Sequence, residues 1–384
     1  MNTETSRAPV RTAVHVMDFV PHGRRTAEQF FLGVASQLRI HGWRSVFVFG
    51  GEPGAYLADG LRDLGDVWMV TRFQPSPREA FSLGMRLRKY RPDALHAHFM
   101  SKFSLPLPLL KFASGARVLI VNDHSSGFAP RRTGLARQLM RLRGRMTGLY
   151  IDHLVAVSEF IRRRDVDDMG MPSRIARVIH NGADLDRFIA EAGDEQAEPT
   201  IAFVGSLKEE KGTLTLLTAF KALLEGADAH QSLRLKIAGE GPQEAELKAF
   251  CAAHGISSRV DFLGQVSTVP ALFGTATVAV VPSQYGEACA TVLPEAMAAG
   301  ACMLVSDDGG APEVVGPSGE AAVIFRAGDV VDFERKLREL LGDPDQRRRL
   351  RRAARIRAQQ FTLARAVNAH AAMYAEIAVQ THKH

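Results

Sequence analysis

Long apolar runs are missing from this 384-residue chain. No stretch approaches the ~20 residues that span a bilayer. The start, Met1-Asn2-Thr3-Glu4-Thr5-Ser6, is polar where a secretory signal would carry its apolar core. The chain therefore reads as cytoplasmic. Cysteine is scarce as well. Cys251, Cys289 and Cys302 are an odd number at unpatterned spacing, which argues against a disulfide framework and against zinc. Neither G-x-G-x-x-G nor G-x-x-x-x-G-K-[ST] follows the first apolar strand, so the dinucleotide and P-loop readings lack their signatures. No internal repeat or low-complexity segment is apparent. What remains, with 46% hydrophobic and 23% charged residues, is an ordinary soluble globular composition. The length is large for one core and implies two domains.

One stretch organises the rest. The apolar run Val278-Ala279-Val280-Val281-Pro282-Ser283 reads as a buried strand ending in a turn, and Cys302 to Ser306 reads as another. Between them lie two carboxylates, Glu287 and Glu295, eight positions apart. Pro294 has no N–H and is tolerated only in the first turn of a helix, so a helix starts near Ala290 or Thr291. Glu295 then falls in its first turn and Glu287 in the preceding loop. Backbone N–H groups at such a helix start suit a phosphate, and the small residues Gly286, Ala288, Cys289 and Ala290 let a ligand approach. Two acids beside an anion site make sense if the ligand also carries hydroxyls.

Glu287 and Glu295 resemble the E-x7-E signature of retaining glycosyltransferases of the group 1 type (family 4). The resemblance implies the GT-B fold: α/β, two doubly wound Rossmann-like domains facing a cleft, with a C-terminal helix returning to the first. It implies that Glu287 lies by the donor sugar and that Glu295 holds the nucleotide ribose. Gly205-Ser206 through Lys211-Gly212 is similar to the family's "GRL…KG" phosphate segment, with Ser206 where an Arg is usual. Lys211 keeps its place, and Lys208 is a candidate to supply the missing charge, though without the bidentate fork of Arg. Gly239-Glu240-Gly241-Pro242 resembles "GxGP". Phe262-Leu263-Gly264 resembles "FLG", after which Gln265 and Val266 are the candidate base readers. Asp307 to Glu313 resembles the "GGxPE" turn.

The first half alternates strands and helices, as a parallel sheet with right-handed crossovers requires. Strands are expected at Thr12–Phe19, Ser45–Phe49, Val67–Val70, Pro92–His98 and Arg117–Val121. His15 and His96 read as core residues. His124, at a strand end before Ser125-Ser126-Gly127, resembles the family's histidine placed against the donor sugar. Pro92-Asp93 with His96 and His98 resembles "PDxxHxH", and Asp152 to Ser158 resembles "DxxxxxS". The loop Pro21-His22-Gly23-Arg24-Arg25-Thr26 departs from the family's glycine pair. The domain boundary is expected after Ile179-His180-Asn181-Gly182-Ala183-Asp184, which is similar to the family's "NGxD" crossover. The expected divisions are 1–190, a linker over 191–199, a nucleotide-sugar domain over 199–360, and a returning helix over 361–384. Ser318–Phe325 is expected as a last strand.

Asp165-Val166-Asp167 matches D-x-D but lies in a charged helical run, so it reads as a solvated helix face and no metal is expected. The implied reaction moves a hexosyl group from a nucleotide-diphosphate sugar to a hydroxyl acceptor, glycan or lipid-linked, with retention and without a further cofactor. His124, Lys211 and Glu287 are its catalytic candidates. Gly205, Ser206, Lys208, Lys211, Gly239, Gln265, Val266, Ala288, Cys289, Ala290, Thr291 and Glu295 are the donor-binding ones. The alternatives are a sugar-nucleotide epimerase of the same fold and a nucleic-acid binder using the arginines. The second leaves Gly205–Glu313 without purpose, so no nucleic-acid partner is expected. From Arg131 to Tyr150 six arginines and no acid interleave with Leu135, Leu139, Met140, Leu142 and Met146. Such a basic amphipathic helix suits an anionic membrane surface, which would place the protein peripherally at the inner membrane face. The alternative is that its apolar stripe packs on the sheet. A second run, Arg347 to Arg357, reads as a solvated helix face.

Overall fold

The computed structural model describes residues 11–17, 25–71, 76–127, 133–190, 198–225 and 232–380. The loop residues Pro21–Arg24, Arg131, Arg132 and linker residues 191–197 lie outside them. The contacts divide the chain into two compact units. Unit 1 is 1–125, 129–182 and 363–384; unit 2 is 126–128 and 183–362.

Unit 1 runs β1 (Arg11–Met17), α1 (Arg25–Ile40), β2 (Trp43–Phe49), α2 (Ala55–Asp63), β3 (Val67–Val70), α3 (Pro77–Leu87), β4 (Ala94–His98), α4 (Pro106–Ser114), β5 (Val118–Asp123), α5 (Gly134–Thr147), β6 (His153–Ala156), α6 (Glu159–Arg163) and β7 (Ala176–Val178). Its seven strands are all parallel, in the order β3-β2-β1-β4-β5-β6-β7. β1 and β5 read as near-continuous apolar runs because helices cover both faces of the sheet. The C-terminal helix, Leu363–Gln380, belongs to this unit and buries Met373, Tyr374 and Ile377 with Val34 and Leu38 of α1.

Unit 2 runs α7 (Leu185–Ala190), β8 (Thr200–Val204), α8 (Thr213–Glu225), β9 (Arg234–Ala238), α9 (Glu244–Ala253), β10 (Val260–Gly264), α10 (Val269–Thr275), β11 (Val278–Val281), α11 (Val292–Ala298), β12 (Met303–Ser306), α12 (Ala311–Val315), β13 (Val323–Phe325), α13 (Val330–Gly342) and α14 (Pro344–Ala358). Its strands are parallel in the order β10-β9-β8-β11-β12-β13. Counted from β8 this is the doubly wound order 3-2-1-4-5-6, whose direction reverses between β8 and β11.

Several boundaries differ from the sequence expectation. The last strand is Val323–Phe325 rather than Ser318–Phe325, because Gly316 and Gly319 adopt positive φ and turn the chain before it. α7 counts with unit 2, its Leu185 and Phe188 buried with Leu293 and Met297 of α11, and the units divide between Gly182 and Ala183, within the 181–184 crossover. Glu159–Asp168 is not one helix with a solvated face. After α6 the chain widens into a π-helical turn, Arg164–Asp168, in which Asp165 is 0% exposed and Asp167 is exposed. Burial, with Asp123 beside it, pushes the Asp165 carboxyl up to about 7. The Arg347–Arg357 run is not merely solvated either. Arg347 donates to Leu340 O and Leu341 O, Arg351 to Gly274 O and Gly300 O, and Arg357 to Glu313 O and Val314 O. These arginines satisfy carbonyls where chain segments end. No described helix is long and apolar enough to cross a membrane.

Candidate active site

At the reversal point of unit 2 the ends of β8 and β11 diverge. A cavity of about 230 Å³ opens there, lined by Phe203 to Ser206, Lys211, Val281, Ser283, Glu287 and Ala290 to Val292. Ligands of doubly wound sheets enter at this place, beyond the carboxyl ends of the strands. Local sequence explains how Lys211 reaches it. Glu209–Lys211 forms a 3-10 turn closed by Gly212 at φ +68°. A Cβ on Gly212 would lie 1.9 Å from Pro282 O, so only glycine lets this turn close against the β11 exit. Gln284 N donates to Glu210 O at 2.9 Å and Gln284 Nε2 to Thr215 Oγ1 at 2.6 Å, tying the two loops together.

Lys211 Nζ then pairs with Glu287 Oε1, and Ser283 Oγ donates to Glu287 Oε2 at 2.5 Å. Both oxygens of Glu287 are thereby oriented. The Glu287 backbone is held as firmly. The buried Asp308 carboxylate accepts from Gly286 N at 2.7 and 3.0 Å and from Glu287 N at 2.9 Å. Gly310 N donates to Glu287 O at 2.9 Å. Gly309, at φ +57°, passes so close that a Cβ would lie 2.2 Å from Glu287 O. Burial, then opposed by these N–H groups, leaves Asp308 raised above the usual carboxylate range.

The N–H groups of Gly286 and Glu287 are thus taken up by Asp308, and Ala288 N donates to Ser126 Oγ at 3.3 Å. α11 begins at Val292, one or two residues past the expected start, with Pro294 and Glu295 in its first turn. Glu295 is half-buried; burial raises its carboxyl to about 7, with Arg187 pulling the other way.

Gly205, Ser206, Lys211, Glu287, Ala290 and Thr291 line the one cavity. Lys208 is exposed before the 3-10 turn, Ala288 is buried and Cys289 half-buried in the Glu287 loop. Gly239 follows β9 and donates to Gly264 O at 2.7 Å. Gln265 is exposed, with Nε2 at 3.4 Å from Glu240 Oε2, and Val266 packs on Ala202, Ala238, Leu272 and Ala276. Ser283 and Asp308 were missed. A polar residue ending an apolar strand was the signal for the first, and paired aspartates before Gly-Gly for the second. A larger opening of about 420 Å³ lies near β13, but its Arg335 and Lys336 pair with Asp332, at 2.8 and 3.0 Å. Its charges are spent on each other.

His124 lies in unit 1 at the end of β5. Its ring stacks on Phe99 at 4.1 Å, and burial lowers its pKa to about 4, so it is neutral at pH 7. Phe99 carries φ +58°, costly for a bulky side chain and a mark of functional sites. Among the described residues, His15, His96 and His98 form one group of metal-ligand type. His96 Nδ1 and Nε2 are already bonded to Tyr374 and Asn122, at 3.0 and 2.9 Å, and His15 Nδ1 meets His98 Nε2 at 3.3 Å. The trio is a hydrogen-bonded core.

Residues 27–187 match the family model described as Glycosyltransferase Family 4, and residues 185–357 that described as Glycosyl transferases group 1. A glycogen synthase of Mycobacterium tuberculosis is 29% identical over 288 residues, 71% of this chain and 67% of the relative. Among solved structures, a glycosyltransferase from Rickettsia africae superposes with a TM-score of 0.78 at 17% identity, covering 96% of this chain and 98% of that one. Anabaena HepE in complex with UDP superposes with a TM-score of 0.74 at 17% identity, covering 95% and 100%. The fold class is that of the two-domain GT-B proteins.

Proposed function

This chain belongs to the group 1, family 4 glycosyltransferases, and on that premise we propose that it moves a hexosyl group from a nucleotide-diphosphate sugar to a hydroxyl acceptor with retention of configuration. The observation that carries this reading is the Lys211–Glu287 pair inside the cavity between β8 and β11. The diphosphate lies against Lys211 and the Gly205–Ser206 backbone. The Glu287 carboxylate accepts from sugar hydroxyls, and Glu295 from ribose hydroxyls. As the bond from C1 to the phosphate oxygen breaks, negative charge grows on that oxygen and Lys211 stabilises it without rearrangement. The acceptor oxygen bonds C1 from the same face, and its proton passes to the departing phosphate oxygen. The UDP bound by HepE supports a nucleotide in this fold.

We also place the acceptor at a membrane. The apolar stripe of α5 does not pack on the sheet: Leu135, Leu139, Leu142 and Met146 are 69%, 56%, 52% and 59% exposed, and it is Gly144 and Thr147 that are buried. A stripe of leucines flanked by arginines suits an anionic lipid surface, at the inner face of the membrane. Products would then be glycolipids or lipid-linked glycans.

Thermal shift with UDP-glucose, GDP-mannose and ADP-glucose tests the donor reading. One of them should raise Tm as a ligand bound only by the folded state does. No response to any of the three, nor to UDP, overturns it. The anomeric proton coupling of the product then decides retention.

A further inference from the structure

Unit 1 buries four charged side chains that no step above uses. Lys102, Asp123 and Arg164 are nearly enclosed and Asp165 wholly so. Lys102 Nζ bonds the Asp123 carboxylate and lies 2.9 Å from Asp165 Oδ1, while Arg164 Nη2 lies 3.0 Å from Asp123 Oδ2. Taking two cations and two carboxyl groups out of water is expensive, and apolar residues of like volume would join the same elements at least as well. A purpose other than cohesion is therefore indicated. The bonds leading out of the cluster show it, for they converge on one residue. Arg164 Nη1 donates to Ser125 O at 2.9 Å and Nη2 to Ser125 Oγ at 2.8 Å. Asp123 Oδ1 accepts from Ser125 N at 2.8 Å and from the Ser125 hydroxyl. The N–H, the C=O and the hydroxyl of Ser125 are all held.

The π turn that carries Arg164 and Asp165 is wider than an α turn, so two consecutive side chains can both enter one cluster. Ser125 is preceded by His124, just past the end of β5. We propose that Arg164, braced by Asp123, Lys102 and Asp165, is a positioning residue that fixes Ser125 and with it the path of the segment from His124 to Gly127. The effect on turnover rests on the sugar-transfer reading; the effect on the segment does not.

The test uses the full chain with Arg164→Lys, which keeps the charge and loses the planar fork, and Asp165→Asn, which keeps the shape and loses the anion. In amide hydrogen exchange without ligand, residues 124–127 should exchange at least about tenfold faster in both variants, while β5 and β6 keep their protection. With UDP-glucose as probe, release of UDP should fall roughly ten- to a hundredfold in kcat, since small misplacements are costly in rate, with KM within about threefold. Unchanged exchange at 124–127 overturns the proposal. So does a loss of protection spread evenly over β5 and β6, which would make the cluster a structural brace, and so does a local loss with unchanged kcat. If the wild-type chain neither binds nor consumes any of UDP-glucose, GDP-mannose and ADP-glucose, the sugar-transfer reading fails alone, and the exchange result still decides the positioning.

Discussion

Lys211 and Glu287, 76 positions apart in the chain, form an ion pair at the mouth of the β8 and β11 strands. Each is the other's counter-charge, and on the sugar-transfer reading a diphosphate would compete for Lys211. Lys211→Ala should therefore weaken UDP binding by the ~1.5–3 kcal/mol of a charge-assisted hydrogen bond, about ten- to a hundredfold by titration calorimetry. Glu287→Gln should leave UDP binding within a few-fold and cut turnover about 10²-fold, as loss of one electrostatic stabiliser does. Wild-type affinity in the lysine variant removes Lys211 from the phosphate site.

Asp308 supplies the acceptor for the backbone N–H groups of Gly286 and Glu287. Asp308→Ala leaves both buried donors without it, a penalty of about 1–3 kcal/mol each. The Glu287 loop should lose its set, so kcat should fall at least about tenfold while UDP affinity holds. Gly309→Ala should show the same split with a lower Tm, because its Cβ would meet Glu287 O at 2.2 Å. Equal kcat in both variants would show that the loop needs neither device.

Acid should destabilise unit 1. Burial lowers the pKa of His15 to about 3 and of His124 and His370 to about 4, and holds His96 and His98 well below the usual value. Below pH ~6.5 the unfolded chain takes up protons that the folded unit refuses, so their stabilisation is full above that pH and is lost toward pH 4. Asp66, raised to about 6, and Asp165, raised to about 7, run the other way: what they contribute is present near pH 4 and lost as pH rises through those values. With His153, whose pKa burial also lowers, six histidines outweigh two carboxyls, and each contributes up to ~1.4 kcal/mol per pH unit. The urea midpoint should fall from pH 6.5 to pH 5, and His370→Gln should flatten that slope. A flat wild-type profile would contradict the buried-neutral assignment.

The organising stretch was legible because its cues are local. Pro294 limits the helix start whatever surrounds it, and the apolar runs on both sides mark strands covered on both faces. α4 has no such cue: Pro106 and Pro108 stand in its first turn amid residues that are apolar all round, leaving no period to read. The charges were misread for a different reason. Nothing near Asp165 in sequence reveals that Lys102 and Asp123 will enclose it, or that Arg351 will end on Gly274 and Gly300 carbonyls. A charge run looks solvated until distant chain arrives to bury it. The same limit hid Asp308, whose task exists only once β12 lies beside β11.

The exposed stripe of α5 gives the remaining prediction. Leu135, Leu139, Leu142 and Met146 recur at spacings of four and three, so they share one face, and all are exposed. Arg137, Arg141, Arg143 and Arg145 accompany them. At ~1 kcal/mol per basic residue near an anionic leaflet, four arginines favour that surface over a neutral one by roughly a thousandfold at low salt. The protein should co-sediment with phosphatidylglycerol vesicles and not with phosphatidylcholine vesicles, and added salt should release it as charges are screened. Arg141 donates to Asp167 O and Arg143 to Phe103 O, so reversing either would disturb the fold. Arg137→Glu with Arg145→Glu is the cleaner pair and should abolish sedimentation, as should Leu139→Glu with Leu142→Glu, with UDP affinity unchanged in both. Loss with the arginine pair alone would mean the leucines do not insert and the attraction is only electrostatic. Equal sedimentation with both lipids, or with neither, would remove the membrane from the account and leave a soluble hydroxyl acceptor.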